Sequence, residues 1–183
     1  AASDVYKRQG LDEIKAKGEV DREVTTIEND SRKVVEGSMF FAIKGFSTDG
    51  TQYIQSAIEK GAKVILVDEQ TDFRSLNIPQ DVTLIVVKDA RYAMAICACN
   101  FYDNPSRKFK LIGVTGTKGK TTTTFMIKEM LEKAGYKTGL IGTIATYING
   151  KMVSESSRTT PESIELQRIF AEMVKQGTEY VVM

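Results

Sequence analysis

The chain contains no histidine and no tryptophan. The missing histidine removes any imidazole base from catalysis and leaves Cys97 and Cys99 as the only soft ligands for zinc. Those two stand at i, i+2 in a helix expected over residues 90–102, where such positions do not face each other. They read as structural thiols, so a metal is expected to be a hard cation held by oxygens and phosphates. Charge imbalance is also missing: the formal net charge is +1, with no long basic block, which argues against a nucleic-acid partner. No apolar run approaches the roughly 18 residues of a membrane span, and no signal-peptide pattern opens the chain. A cytoplasmic location without membrane contact is the expectation. At 183 residues, 42% hydrophobic and 27% charged, the chain fits one globular domain or two small ones with a real core.

What is present is organised around residues 111–124, LIGVTGTKGKTTTT. An apolar run leads into a Gly-rich turn ending in Gly119, Lys120 and Thr121, and a helix-forming segment follows. Strand, glycine loop, Lys-Thr and helix is the arrangement that cradles nucleotide phosphates, because loop amides and a helix N-terminus converge on one anion. Lys120 would reach the outer phosphates, and Thr121 would offer its hydroxyl to Mg²⁺. The usual spacing puts a glycine five residues before Gly119; Val114 stands there, with Gly113 and Gly116 on either side. This is a variant P-loop. The bland alternative is a strand-to-helix turn with no ligand, but a lysine at a helix start is unfavourable unless an anion is near. The threonines at 121–124 are poor helix formers, a local cost that suggests their hydroxyls are used. Lys118 adds a second cation, or is only solvated.

Along the chain, a short strand from Val24 precedes the polar turn at 28–32, and 36–37 is a second turn. Apolar runs at 39–43, 63–67 and 82–87 read as buried strands, with loop at 44–50. Tyr53, Ile54, Ala57 and Ile58 recur at helical spacing, with Gly61 placed as a C-cap. The helix at 90–102 stops at Asp103, Asn104 and Pro105. Strands separated by helices predict an α/β fold with a largely parallel sheet. A domain boundary is placed in the polar segment 103–110, giving domains at 10–106 and 107–183. In the second, a helix over 121–134 is expected to bury Phe125, Met126, Ile127, Met130 and Leu131. Residues 140–147 are expected as one strand, and Asn149-Gly150 as a hairpin turn pairing 151–154 back on it. A helix is then expected with Thr160 as N-cap and Pro161 as its first residue, lined by Ile164, Ile169, Phe170 and Met173 and ended by Gly177. Residues 180–183 begin another strand.

Two further motifs have both plain and functional readings. Asp30-Ser31-Arg32 is by itself an Asx-type turn. The run Ser157 to Pro161 is by itself a helix start, though Arg158 makes that start more attractive to phosphate or carboxylate. Glu162 and Glu179 read as structural, so no second magnesium carboxylate is placed.

Together these stretches resemble the Mur ligases, ATP-dependent amide-forming enzymes that build the peptidoglycan stem peptide. GVTGTKGKTTTT is similar to the family's GTNGKT signature, with Lys118 where Asn is usual. Asp30-Ser31-Arg32, VVEGSMFFAIKG, Asp49-Gly50, Tyr53-Ile54, AIEKGA and VILV resemble the UDP-sugar-binding N-terminal domain shared by the enzymes that add the third residue and the terminal dipeptide. Arg158-Thr159-Thr160-Pro161-Glu162 favours the third-residue branch, with Arg158 in place of an Asn. The resemblance implies that Ser31 contacts the UDP part of the substrate and that Phe46, Ser47 and Thr48 occupy the uridine-side loop. It implies that Gly116, Thr117, Lys118, Gly119, Lys120, Thr121 and Thr122 hold ATP, with Thr121 on Mg²⁺. Arg158, Thr159 and Thr160 would meet the muramoyl-peptide.

The implied reaction phosphorylates the carboxylate of UDP-N-acetylmuramoyl-L-Ala-D-Glu with ATP. An amine then attacks the acyl phosphate, and Lys120 and Mg²⁺ neutralise charge on the transferred group. The added amino acid, diaminopimelate, lysine or another, stays open, and a monomer is expected. The family's magnesium glutamate, carbamylated lysine and amino-acid-binding domain are expected beyond Met183. Residues 4–9, DVYKRQ, are similar to the translated end of a transposon used in shotgun sequencing libraries, so residues 1–9 are expected to be a non-native leader. A chain cut at both ends, inactive alone, is the resulting expectation. The alternatives are a terminal-dipeptide-adding ligase and a non-catalytic nucleotide-binding switch module.

Overall fold

β-Branched and aromatic runs with few charges favour strands buried on both faces, and this pattern builds the centre of the first sheet. The computed structural model describes residues 2–3, 10–11, 13–19, 22–45, 48–155 and 159–183. The chain divides into two compact units, Ala1–Phe101 and Tyr102–Met183. Of the leader expected at residues 1–9, only residues 2–3 are among the described residues.

In the first unit the strands are β1 (Ala2–Ser3), β2 (Glu13–Lys17), β3 (Glu23–Val24), β4 (Thr26–Glu28), β5 (Ser38–Ala42), β6 (Ala62–Asp68) and β7 (Thr83–Val87). Helix α1 (Ile54–Glu59) follows a 3-10 turn at Gly50–Tyr53, and α2 (Ala90–Phe101) closes the unit. The main sheet has the order β2-β7-β6-β5-β4, parallel from β4 to β7 with β2 antiparallel at one edge; β1 pairs with β3. Phe40, Ala42, Ile65, Val67, Leu84 and Val86 form a core with Ile54 and Ala57 of α1. The alternate residues Met39, Phe41, Val64, Leu66 and Ile85 are equally buried, so both faces of the sheet are covered. Strand β2 was not legible in the sequence: three of the five residues of EIKAK are charged, and it is a strand because β7 offers it an open edge.

The second unit has β8 (Lys110–Ile112), α3 (Lys120–Lys133), β9 (Thr138–Ile141), β10 (Ala145–Ile148), β11 (Lys151–Glu155), α4 (Ser163–Lys175) and β12 (Tyr180–Val182). Its sheet has the order β11-β10-β9-β12-β8, with β8, β12 and β9 parallel and the β10–β11 hairpin antiparallel. Both sheets are thus mixed with a parallel centre. The hairpin turns at Asn149 and Gly150, both at positive φ (49° and 82°), as a two-residue turn matched to strand twist requires.

Three local expectations are corrected. Residues 140–147 are not one strand: the chain reverses at 142–144, and β10 pairs antiparallel with β9, Tyr147 opposite Leu140. Apolar continuity cannot distinguish one strand from two that fold back on each other. Helix α3 does not bury its methionines. Met126 is 61% and Met130 62% exposed, whereas Thr124 and Lys128 are buried. Lys128 can lie inward because its ammonium pairs with Glu132 at 2.8 Å and Glu129 at 3.3 Å, and Glu132 also accepts a bond from the Thr138 hydroxyl at the start of β9. A buried ammonium is tolerated once paired, and its stem packs as hydrocarbon. Finally, α4 starts at Ser163 with Glu162 as N-cap, not at Thr160-Pro161. Glu162 is extended (ψ 158°), and its carbonyl accepts the first helical bond, from the Leu166 amide at 2.9 Å, so the first turn closes two residues later.

Candidate functional site

The glycine loop of the second unit starts where β8 stops. The Met183 amide donates to the Ile112 carbonyl (2.9 Å) and the Val114 amide to the Met183 carbonyl (2.7 Å), so the loop leaves the sheet alongside the end of β12. Gly119 is the N-cap of α3 in the left-handed region, φ 79°, a conformation natural to glycine. A Cβ built there would meet nothing within 4 Å, so backbone conformation and not crowding selects the residue. The Thr123 amide makes the helix's first bond, to the Gly119 carbonyl at 2.9 Å. The amides of residues 120–122 therefore face out of the helix end, where partial positive charge gathers.

Gly116, Thr117, Lys118 and Gly119 are all exposed, and Lys120 and Thr121 are half-buried. Lys120 folds back so that its Nζ donates to the Gly116 carbonyl at 2.6 Å. A bound phosphate would offer that ammonium a charged partner instead. The Thr124 hydroxyl back-bonds to the Thr121 carbonyl (2.9 Å), which explains one threonine of the run by helix packing alone. Thr121 and Thr122 border an apolar groove with Phe125, Met126, Glu129 and Met130. This loop offers groups that a nucleotide phosphate would need: exposed residues at 116–119, the lysines at 118 and 120, and the Thr121 hydroxyl at the start of α3. Among the described residues no group of three or more Asp, Glu, His or Cys forms a metal centre.

Because β8, β9 and β12 run parallel, their carboxyl ends share one edge of the sheet, where ligands collect in open α/β folds. The glycine loop leaves β8 there, and Thr143 stands in the turn that leaves β9. The structure puts the Thr143 and Thr159 hydroxyls 3.3 Å apart, linking that turn to the Thr159-Thr160 run. Sequence reasoning missed Thr143, and the Gly142-Thr143 pair interrupting an apolar run was the available signal. Thr159 and Thr160 are exposed; Arg158 lies outside the described residues.

In the first unit, Asp30-Ser31-Arg32 is the Asx turn that the sequence suggests. The Arg32 amide donates to Asp30 Oδ1 at 3.0 Å, and the guanidinium grips both carboxylate oxygens at 2.8–3.2 Å. Those bonds, chiefly from the Arg32 side chain, hold the Asp30 carboxyl down to about 2 from its ordinary 3.8. A depressed carboxyl contributes stability above its unfolded value and loses it as pH falls through the folded value. The stability gap between wild type and Asp30→Asn should therefore narrow from pH 5 to pH 2. Urea midpoints measured at both pH values check this, and a constant gap would contradict it. Ser31 is only 9% exposed, and its hydroxyl has no hydrogen-bond partner among the described residues. Thr48 is exposed, with its carbonyl accepting the Gly45 amide at 2.8 Å; Phe46 and Ser47 lie outside the described residues.

Comparison with known proteins agrees with this layout. A family model described as Mur ligase family, catalytic domain, matches residues 23–102, and one described as Mur ligase middle domain matches residues 114–183. The chain belongs to the Mur ligase family. Mur ligases use ATP, typically with Mg²⁺. Curated relatives include the UDP-N-acetylmuramoyl-L-alanyl-D-glutamate–2,6-diaminopimelate ligase of Clostridium tetani, 51% identical over 91% of this chain and 34% of that protein. The enzyme of the same name from Clostridium botulinum is 53% identical over 88% of this chain and 33% of its own. The chain thus spans about a third of the length of the curated relatives it matches. A solved structure of a ligase of that name superposes with a TM-score of 0.70, covering 87% of this chain and 31% of that one; at 24% identity it supports the Mur ligase fold alone. No helix among the described residues is long and apolar enough to cross a membrane.

Proposed function

We propose that this chain is the substrate-nucleotide-binding and ATP-phosphate-binding part of a cytoplasmic ligase that joins diaminopimelate to UDP-N-acetylmuramoyl-L-Ala-D-Glu in peptidoglycan precursor synthesis. The observation that carries the reading is the glycine loop, with Lys120, at the carboxyl ends of the parallel strands β8, β12 and β9. The relatives' shared name favours diaminopimelate over lysine as the amine. In this reading residues 10–106 hold the UDP-sugar through Ser31, aided by the loop of Phe46, Ser47 and Thr48. Residues 107–183 hold ATP through Gly116 to Thr122, with Thr121 on Mg²⁺, and Arg158, Thr159 and Thr160 meet the muramoyl-dipeptide. ATP phosphorylates the substrate carboxylate, and the amine displaces phosphate from the acyl phosphate with loss of a proton, giving amide, ADP and phosphate. Lys120 screens charge on the transferred group as it forms.

A chimera tests this: the chain replaces the matching third of the C. tetani relative, and ADP release is measured. Release should require UDP-N-acetylmuramoyl-L-Ala-D-Glu and diaminopimelate together. ADP release indifferent to both would favour a nucleotide switch instead.

A further inference from the structure

No described residue bonds the Ser31 hydroxyl although its residue is nine-tenths buried, so something else must hold the turn in that pose. Asp30 and Arg32 grip each other, but both belong to the turn and do not anchor it to the fold. The long-range tie is Lys60. Its Nζ donates to the Ser31 carbonyl at 2.8 Å across 29 residues of sequence. Lys60 is the C-cap of α1, its own amide bonded to the Ser56 and Ile58 carbonyls, so its backbone is fixed.

The next residue extends the same seam. The Gly61 carbonyl accepts the Gly37 amide at 2.9 Å. Gly61 has φ +100°, and a Cβ there would come within 2.7 Å of the Glu36 Cα, so only glycine lets the two segments close. Lys63 adds an ion pair to Glu36 at 3.5 Å. The 29–37 segment is thus pinned to the end of α1 at both ends, and the pin nearest the Ser31 hydroxyl is the Lys60 ammonium. Without it, the carbonyl of a buried residue would lose its partner and turn toward water. The Ser31 hydroxyl, on the same residue, would move with it.

We propose that Lys60 is a positioning residue for substrate binding, acting through Ser31. This rests on the reading that Ser31 contacts the UDP part of the substrate. The 183-residue chain is titrated with UDP-N-acetylmuramoyl-L-Ala-D-Glu by calorimetry as wild type, Ser31→Ala, Lys60→Met, Lys60→Arg and the Ser31→Ala/Lys60→Met double variant. Thermal melts are recorded alongside. Ser31→Ala and Lys60→Met should each weaken binding roughly tenfold, and the double variant should be no weaker than either single one, because both remove the same contact. Lys60→Arg keeps a cationic donor and should stay within about threefold of wild type. No binding by wild type, or unchanged binding by Ser31→Ala, overturns the reading beneath the proposal and the proposal with it. If Ser31→Ala behaves as expected, the proposal alone is overturned by either of two results: wild-type affinity in Lys60→Met, or losses that multiply in the double variant. A general loss of fold would lower the melting temperature of Lys60→Met and would not be hidden by Ser31→Ala.

Discussion

Replacing Lys120 with methionine is expected to weaken ATP·Mg²⁺ binding about a hundredfold while leaving the unliganded chain as stable as before or slightly more so. The two effects have opposite signs for one reason. A cation at the first residue of α3 sits against the positive end of the helix, which costs roughly 0.3–1 kcal/mol when nothing anionic is bound. Its bond to the Gly116 carbonyl recovers part of that in the free protein. With phosphate in the loop the same ammonium makes charge-assisted bonds worth about 1.5–3 kcal/mol each, and each 1.4 kcal/mol is tenfold in affinity. Lys120→Arg should recover little, because the loop needs a compact point charge beside the outer phosphates and not a planar fork. Titration with ATP·Mg²⁺ and a thermal melt of each variant measure both sides. A variant that binds nucleotide as wild type does would remove Lys120 from the site, and one that melts well below wild type would show the lysine to be a structural staple.

Phe40→Ala should be the most damaging single truncation in the first unit. Phe40 is 1% exposed, at the centre of β5, in register between Glu28 of β4 and Ile65 of β6, and in the core that α1 closes. Removing a buried phenyl ring costs about 3–5 kcal/mol, part of it lost transfer energy and part an unfilled cavity. Small domains hold only about 5–15 kcal/mol in total. At about 4–8 °C per kcal/mol for a unit of this size, the first unit's melting transition should fall by more than about 12 °C. Differential scanning calorimetry measures the shift. A fall of under about 4 °C would mean that the core collapses onto the gap, against the close packing on both faces of β5. The 29–37 turn should be lost in the same transition, since it is bounded by β4 and β5.

Several parts of the candidate site were readable because their cause is local. Gly119, Lys120 and Thr121 lie next to one another, and a left-handed glycine followed by a helix start is a matter of a few dihedral angles. The Asx turn at Asp30 and the Asn149-Gly150 hairpin are local in the same sense. The face of α3 was misread because hydropathy treats every lysine as outward. Lys128 is inward since Glu132, one turn on, neutralises it and Tyr147, on another strand, lies 5.7 Å from its ammonium. Thr143 was missed because its partner, Thr159, is 16 residues away, beyond a hairpin.

The sequence by itself determined the α/β class, the buried strands of the first unit, the glycine loop that opens α3 and the turn at Ser31. Each rests on composition, periodicity or a dihedral preference within a few neighbouring residues. Tertiary structure alone decided that 140–147 folds back as two strands, that α4 begins at Ser163, and that Lys60 holds the Ser31 carbonyl. Those outcomes depend on which groups distant in sequence find their hydrogen-bonding partners once the sheets close, and a local pattern carries no record of that pairing.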